Sequence, residues 1–207
     1  MNSLIEHLIR INSIQNIKHN INLLLNDIPQ KPLTKYLFKI MLVGPSGVGK
    51  TSIIKRFVRD VFNDTTSDIP GLPGDGFLNK EITIGSNKVT LQIWEYNPEK
   101  NEDQLKLTSG FIIVYDVTKP ETFTESQSFI KNINTTAPMF LVGNKNDLIT
   151  IDTKKIPIPL WNEPGKKGAI DHYTYNHYLT SAKTNYNINI VFESITKRML
   201  ERLKLDS

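Results

Sequence analysis

The stretch Gly44-Pro45-Ser46-Gly47-Val48-Gly49-Lys50-Thr51 constrains this 207-residue chain more than any other segment. It fits G-x-x-x-x-G-K-[ST], follows an apolar run that ends at Val43, and opens a segment of helical periodicity, which is the strand-loop-helix setting the pattern requires. Glycines at Gly47 and Gly49 let the backbone curl so that successive N–H groups face an anion. The N-terminus of the following helix adds its positive dipole end. A polyphosphate is the natural guest. The candidate phosphate contacts are Ser46, Gly47, Val48, Gly49, Lys50, Thr51 and Ser52. Lys50 is expected to bridge phosphate oxygens as a point charge, and the Thr51 hydroxyl to supply one oxygen ligand to Mg²⁺.

The pattern around this loop predicts an α/β fold. From Tyr36 onward short apolar runs alternate with longer polar segments, as in a mostly parallel sheet built from βαβ units. Strands are expected over 35–43, 76–84, 88–95, 110–116 and 139–143, with a weaker sixth over 177–180, and helices over 50–60, 120–133 and 187–203. In the last helix Ile190, Val191, Ile195, Met199 and Leu203 are expected to point inward. Between Leu148 and Leu179 the prolines and glycines from Pro157 to Gly168 predict irregular structure.

Residues 1–32 read as an N-terminal amphipathic helical extension, and 33–207 as the main domain. Ile14, Ile17, Ile21, Leu24 and Ile28 lie on one seam of alternating three- and four-residue steps, suited either to packing on the protein's own domain or to a partner helix. Pro29 and Pro32 end that segment. Polar and charged residues interrupt the first thirty positions, which excludes a secretory leader and a membrane span there. A net charge of +4, with Lys and Arg scattered among acids, gives no footprint for nucleic acid. The chain has no cysteine, so it has neither disulfides nor a cysteine-based zinc site.

A second motif names the base. Asn144-Lys145-Asn146-Asp147 follows the run Met139 to Gly143, and Ser181-Ala182-Lys183 follows the sixth strand. Behind a phosphate loop, this pair resembles the guanine-specificity motifs of the Ras-like small GTPases, and the chain from about Tyr36 to Leu203 resembles the Rab family. The supporting segments are Gly44 to Thr51, Leu91-Gln92-Ile93-Trp94, and Ile113-Val114-Tyr115-Asp116-Val117-Thr118. The resemblance implies a P-loop NTPase G domain with a six-stranded sheet flanked by helices. A carboxylate at Asp147 can accept from both donors on guanine's Watson–Crick edge, whereas adenine would leave it unpaired. By the same resemblance Asn144 lines the other edge, the Lys145 stem packs across the ring, and the Ala182 N–H reaches the exocyclic oxygen. Phe62 stands where the family packs an aromatic against the base, and reads equally as a core residue.

Both switch regions depart from the family's pattern. Trp94-Glu95-Tyr96-Asn97-Pro98-Glu99-Lys100 stands where the family has W-D-T-A-G-Q-E. Glu95 keeps the charge of the aspartate that holds Mg²⁺ through water, but its extra methylene moves the oxygens by about a bond length, which Mg²⁺ tolerates poorly. Pro98 has no N–H for a γ-phosphate. Glu99, in the catalytic glutamine's place, puts an anion where the transition state already spreads negative charge. In the first switch the threonine position falls on Ile69 or Leu72, neither a metal ligand, although Thr65, Thr66 or Ser67 lies within reach of a refolded loop. The tail Leu205-Asp206-Ser207 has no cysteine for a prenyl group, so no lipid anchor is expected. Two functional expectations follow from the resemblance. One is a GTP/GDP switch with slow intrinsic hydrolysis, linked to vesicle trafficking or signalling, cytoplasmic or peripheral to membranes, and served by effector, exchange-factor or activating proteins. The other is a non-cycling pseudo-GTPase that keeps its nucleotide structurally and acts as an interaction module.

Overall fold

The structure is a computed structural model that describes residues 14–19, 34–62, 76–133, 135–149 and 176–205. Contacts divide the chain into two units, Met1–Leu33 and Thr34–Ser207. Within the first, residues 14–19 form helical turns (α1) on which Ile14 and Ile17 are exposed, and the rest of the expected seam lies outside the described residues.

The second unit runs β1 (Thr34–Val43), α2 (Lys50–Arg59), β2 (Phe77–Ile84), β3 (Asn87–Glu95), α3 (Pro98–Asn101), a 3-10 segment (Glu102–Leu107), β4 (Gly110–Asp116), α4 (Pro120–Asn132), β5 (Met139–Asn144), a 3-10 turn (Asn146–Leu148), β6 (Asn176–Leu179) and α5 (Ile188–Leu205). The strands form one six-stranded sheet in the order β2-β3-β1-β4-β5-β6. Among these described strands only the β2–β3 pair is antiparallel, joined at Gly85-Ser86. The expected sheet is therefore present, with strand ends shifted by a residue or so.

Strand pleating splits the apolar runs between two cores. Ile40, Leu42, Ile112, Val114, Phe140 and Val142 face one cluster, together with Ile53, Ile54 and Phe57 of α2 and Val191, Phe192 and Ile195 of α5. Their neighbours Met41, Val43, Phe111, Ile113, Tyr115, Met139 and Leu141 face the other, with Ile130 of α4. Burial on both faces explains why these strands read as continuous apolar runs. Phe57 and Phe192 stack with ring centroids 3.8 Å apart and so join α2 to α5.

Two expected inward residues of α5 are corrected by the structure: Ile190 and Leu203 are exposed. The buried stripe is Ile188, Val191, Phe192, Ile195, Thr196, Met199 and Leu200. Ile190 sits on the opposite side of the helix from that stripe at about 100° per residue, and Leu203 lies in the final turn. Lys50 begins α2 behind Gly49, and Arg56 and Arg59 occupy its last turn, where cations suit the dipole. The stretches 63–75 and 150–175, which include the first-switch candidates and the proline-rich segment, lie outside the described residues.

Candidate functional site

β1 is the strand at which the chain changes direction across the sheet, with β3 on one side and β4 on the other. In open α/β sheets ligands bind beyond the carboxyl ends of the strands at such a point. At that end stand the glycine loop after β1, Asp116 closing β4, Asn144 closing β5, and Thr180 to Lys183 after β6.

Two glycines of the loop are dictated by geometry. Gly44 has φ 149°, and a Cβ there would overlap the Val114 carbonyl oxygen. Gly49 has φ 94°, and a Cβ there would overlap the Asn144 side-chain nitrogen. A left-handed residue with no room for a side chain leaves glycine alone. Lys50 is buried, and its Nζ donates to the carbonyl oxygens of Gly44 and Pro45, both at 2.9 Å. The Glu95 carboxylate lies 3.8 Å from Lys50 Nζ and accepts from the Thr51 hydroxyl at 2.5 Å. Burial pushes the Lys50 ammonium below the ordinary lysine value, and the charge and hydrogen bonding of Glu95 oppose that shift. Thr51 and Glu95 together present hard oxygen donors, one anionic, at the end of the glycine loop. That donor set fits Mg²⁺.

Asn144 joins the phosphate loop to the base loops. Its Nδ2 donates to the Val48 carbonyl at 3.0 Å, and its Oδ1 accepts from the Ala182 N–H at 3.1 Å and the Thr180 hydroxyl at 3.4 Å. The Ala182 N–H is therefore already engaged by Asn144. Lys145 is in the left-handed conformation at φ 68°, and its Nζ returns to the Gly47 carbonyl at 2.8 Å. Asp147 is exposed and accepts from the Ser181 hydroxyl at 2.6 Å, while Ser181 Oγ also accepts from the Thr184 N–H.

The network thus brings together Gly47, Val48, Gly49, Lys50, Thr51, Glu95, Asn144, Lys145, Asp147, Ser181 and Ala182. Ser46 is exposed in the loop, Ser52 is half-buried on α2, and Phe62 is half-buried against the core cluster shared by α2 and α5. Lys183 enters through its carbonyl, which accepts from Arg56 Nη2 at 3.1 Å. Glu99 is exposed at the start of α3, with its N–H donated to Asn97 Oδ1 at 3.0 Å.

Two residues of the network were not singled out from sequence. Arg56 Nε donates to the Ala182 carbonyl at 2.8 Å, so α2 holds the base loop directly. Asp116, 2 % exposed, receives Lys145 Nζ at 2.7 Å. Burial acts to raise the Asp116 carboxyl, but hydrogen bonds from Lys145 and from the hydroxyl and N–H of Thr118, with the Lys145 charge, outweigh it and hold the group below the ordinary carboxylate value. An acid closing an otherwise apolar strand was the available signal for Asp116.

With this geometry in place, residues 39–201 match the model of the Ras family. The chain is 35 % identical over 177 residues to the Ras-related protein RABE1d of Arabidopsis thaliana, covering 81 % of this chain and 78 % of the relative. It is 33 % identical to the Ras-related protein Rab-21 of Dictyostelium discoideum, with 81 % and 78 % covered. To the Ras-related protein Rab-8B of Homo sapiens it is 31 % identical, with 81 % of each chain covered.

Proposed function

The chain belongs to the Ras family, and from that premise we propose that it is a Rab-like guanine-nucleotide switch with slow intrinsic GTP hydrolysis, acting in vesicle trafficking or signalling. The observation that carries this reading is the Asn144 hub, which ties Val48 of the phosphate loop to Ala182 of the base loop through one buried side chain. Guanine selectivity falls to Asp147, whose carboxylate pairs with the two donors of the base, while the Lys145 stem covers the ring. Asn144 lines the other edge of the base, the shared Ala182 N–H faces the exocyclic oxygen, Ser181 aims Asp147, and Lys183 and Phe62 flank the base. The main chain from Ser46 to Ser52 receives the phosphates, and Lys50 exchanges its loop carbonyls for phosphate oxygens.

Mg²⁺ would be held by Thr51 and, through water, by Glu95, and when bound it neutralises charge on the phosphates. The hydrolytic step is attack of water on the γ-phosphorus, releasing GDP and inorganic phosphate. Lys50 stabilises the charge that gathers on the bridging and terminal oxygens. Position 99 holds a glutamate in place of a water-orienting glutamine, Pro98 gives no N–H, and the Glu99 N–H is already committed to Asn97. These three features support a slow step. An activating protein that supplies an arginine and a glutamine would raise the rate.

Single-turnover hydrolysis tests the enzymatic part. Phosphate release above a Lys50→Ala control is expected at a rate well below one per minute, and release equal to that control removes the claim. A second reading, a module that retains guanine nucleotide without cycling, draws on α3. Asn97 caps that helix and Pro98 occupies its first position, so the segment corresponding to a second switch is built as a capped helix. Amide exchange over residues 97–107 that differs clearly between GDP and GTP forms counts against this second reading. Among the described residues no helix is long and apolar enough to cross a membrane. A cytoplasmic protein that reaches membranes through effector or exchange-factor partners fits this picture.

A further inference from the structure

We infer that Asp116 is a positioning residue for nucleotide retention, acting through Lys145 to lock the base-covering side chain onto the phosphate loop. The inference rests on the guanine-site reading of Lys145 given above. Asp116 ends β4 directly across from Asn144 in the sheet register, so it lies beside the start of the base loop. Its Oδ2 is 2.7 Å from Lys145 Nζ, and its Oδ1 accepts from the Thr118 hydroxyl at 2.7 Å and the Thr118 N–H at 2.9 Å. Both oxygens are therefore fixed, on a side chain withdrawn from solvent.

Lys145 needs that anchor for two reasons. Its backbone is left-handed at φ 68°, a conformation that is strained for a non-glycine residue and persists only where contacts hold it. Its Nζ also donates to the Gly47 carbonyl, 98 positions away, so one ammonium bridges the end of β4 to the phosphate loop. A lysine stem whose ammonium is held by two fixed acceptors covers a flat ring without further loss of rotamer freedom. A lysine free to sample solvent must be ordered each time the base enters. Asp116 has no need to touch the nucleotide, and its effect is expected in release rate.

The test is displacement of a fluorescent GDP analogue by excess GDP, with saturating Mg²⁺, in a double-mutant cycle. Asp116→Asn is expected to release the analogue about tenfold faster than wild type, and less than about twofold faster in a Lys145→Ala background. Equal acceleration in both backgrounds, or none in either, overturns the proposal, because a structural effect on the strand end does not depend on Lys145. If Lys145→Ala holds the analogue as tightly as wild type, the guanine-site reading and this proposal fall together. A Lys145→Ala defect without coupling to Asp116 removes this proposal alone. Should Asp116→Asn not fold, Thr118→Val removes the hydroxyl that holds Oδ1, leaving the Thr118 N–H bond and keeping the charge. Release about threefold faster, again only with Lys145 present, supports the inference, and unchanged release overturns it.

Discussion

Replacing Asn144 with alanine isolates the contribution of the hub to the fold. The substitution removes the donor to the Val48 carbonyl and the acceptor for the Ala182 N–H, in a residue only 2 % exposed. Each buried group left without a partner costs about 1–3 kcal/mol. The Thr180 hydroxyl is discounted, since its 3.4 Å contact is long and it keeps the Gly143 carbonyl at 3.5 Å. Two orphaned groups together imply a loss of roughly 2–4 kcal/mol, with some relief from water entering the space. For a domain of this size that corresponds to a melting point lower by about 5–15 °C. Urea unfolding of the nucleotide-free protein reads the effect, with the slope against denaturant unchanged if the variant keeps its compactness. A loss below about 1 kcal/mol with an unchanged slope would show that the Val48 and Ala182 groups find other partners, and the keystone role would have to be abandoned.

Other perturbations follow from the same geometry. Gly44→Ala drives a methyl group into the Val114 carbonyl from a backbone at φ 149°, and is expected to cost about 1–3 kcal/mol of stability in thermal or denaturant unfolding. Glu95→Asp withdraws the carboxylate from the Thr51 hydroxyl and makes room for a water. The Mg²⁺ concentration that half-slows GDP release should fall by about tenfold, and an unchanged value contradicts the placement of Glu95. His177 shares a 2.9 Å hydrogen bond with Tyr115, and burial pushes its imidazole below the ordinary value of 6.5. Between the folded value and 6.5 the unfolded chain binds a proton that the folded one does not, so stability falls as pH drops through that window. His177→Gln should flatten this slope, and a variant with the wild-type slope refutes the assignment.

Most of the fold was legible because its determinants are local. The strands are buried on both faces and so read as apolar runs, and the loop from Gly44 to Thr51 carries its constraints within eight consecutive residues. Asn144, Lys145 and Asp147 were recognisable by spacing for the same reason. What escaped detection depends on distance along the chain. The Arg56 bond to the Ala182 carbonyl spans 126 positions and involves a backbone acceptor that every residue offers, so no side-chain pattern announces it. Asp116 lies within the run Ile113 to Thr118, but its pairing with Lys145 appears only once β4 and β5 are side by side. Ile190 is exposed against expectation because hydrophobicity alone does not fix which side of a helix meets the sheet. By contrast α3 has a local signal in Asn97-Pro98, a capping residue followed by proline at the first helical position.

The most direct test of the account is the identity of the nucleotide the folded protein carries. Protein purified under native conditions is denatured and its small molecules separated by chromatography, with a competition titration of GDP against ADP on the refilled site. The account predicts GDP or GTP in the released fraction and a preference for GDP over ADP of at least about a hundredfold, set by Asp147. A folded chain that releases adenine nucleotide, or that takes up GDP and ADP equally, contradicts it.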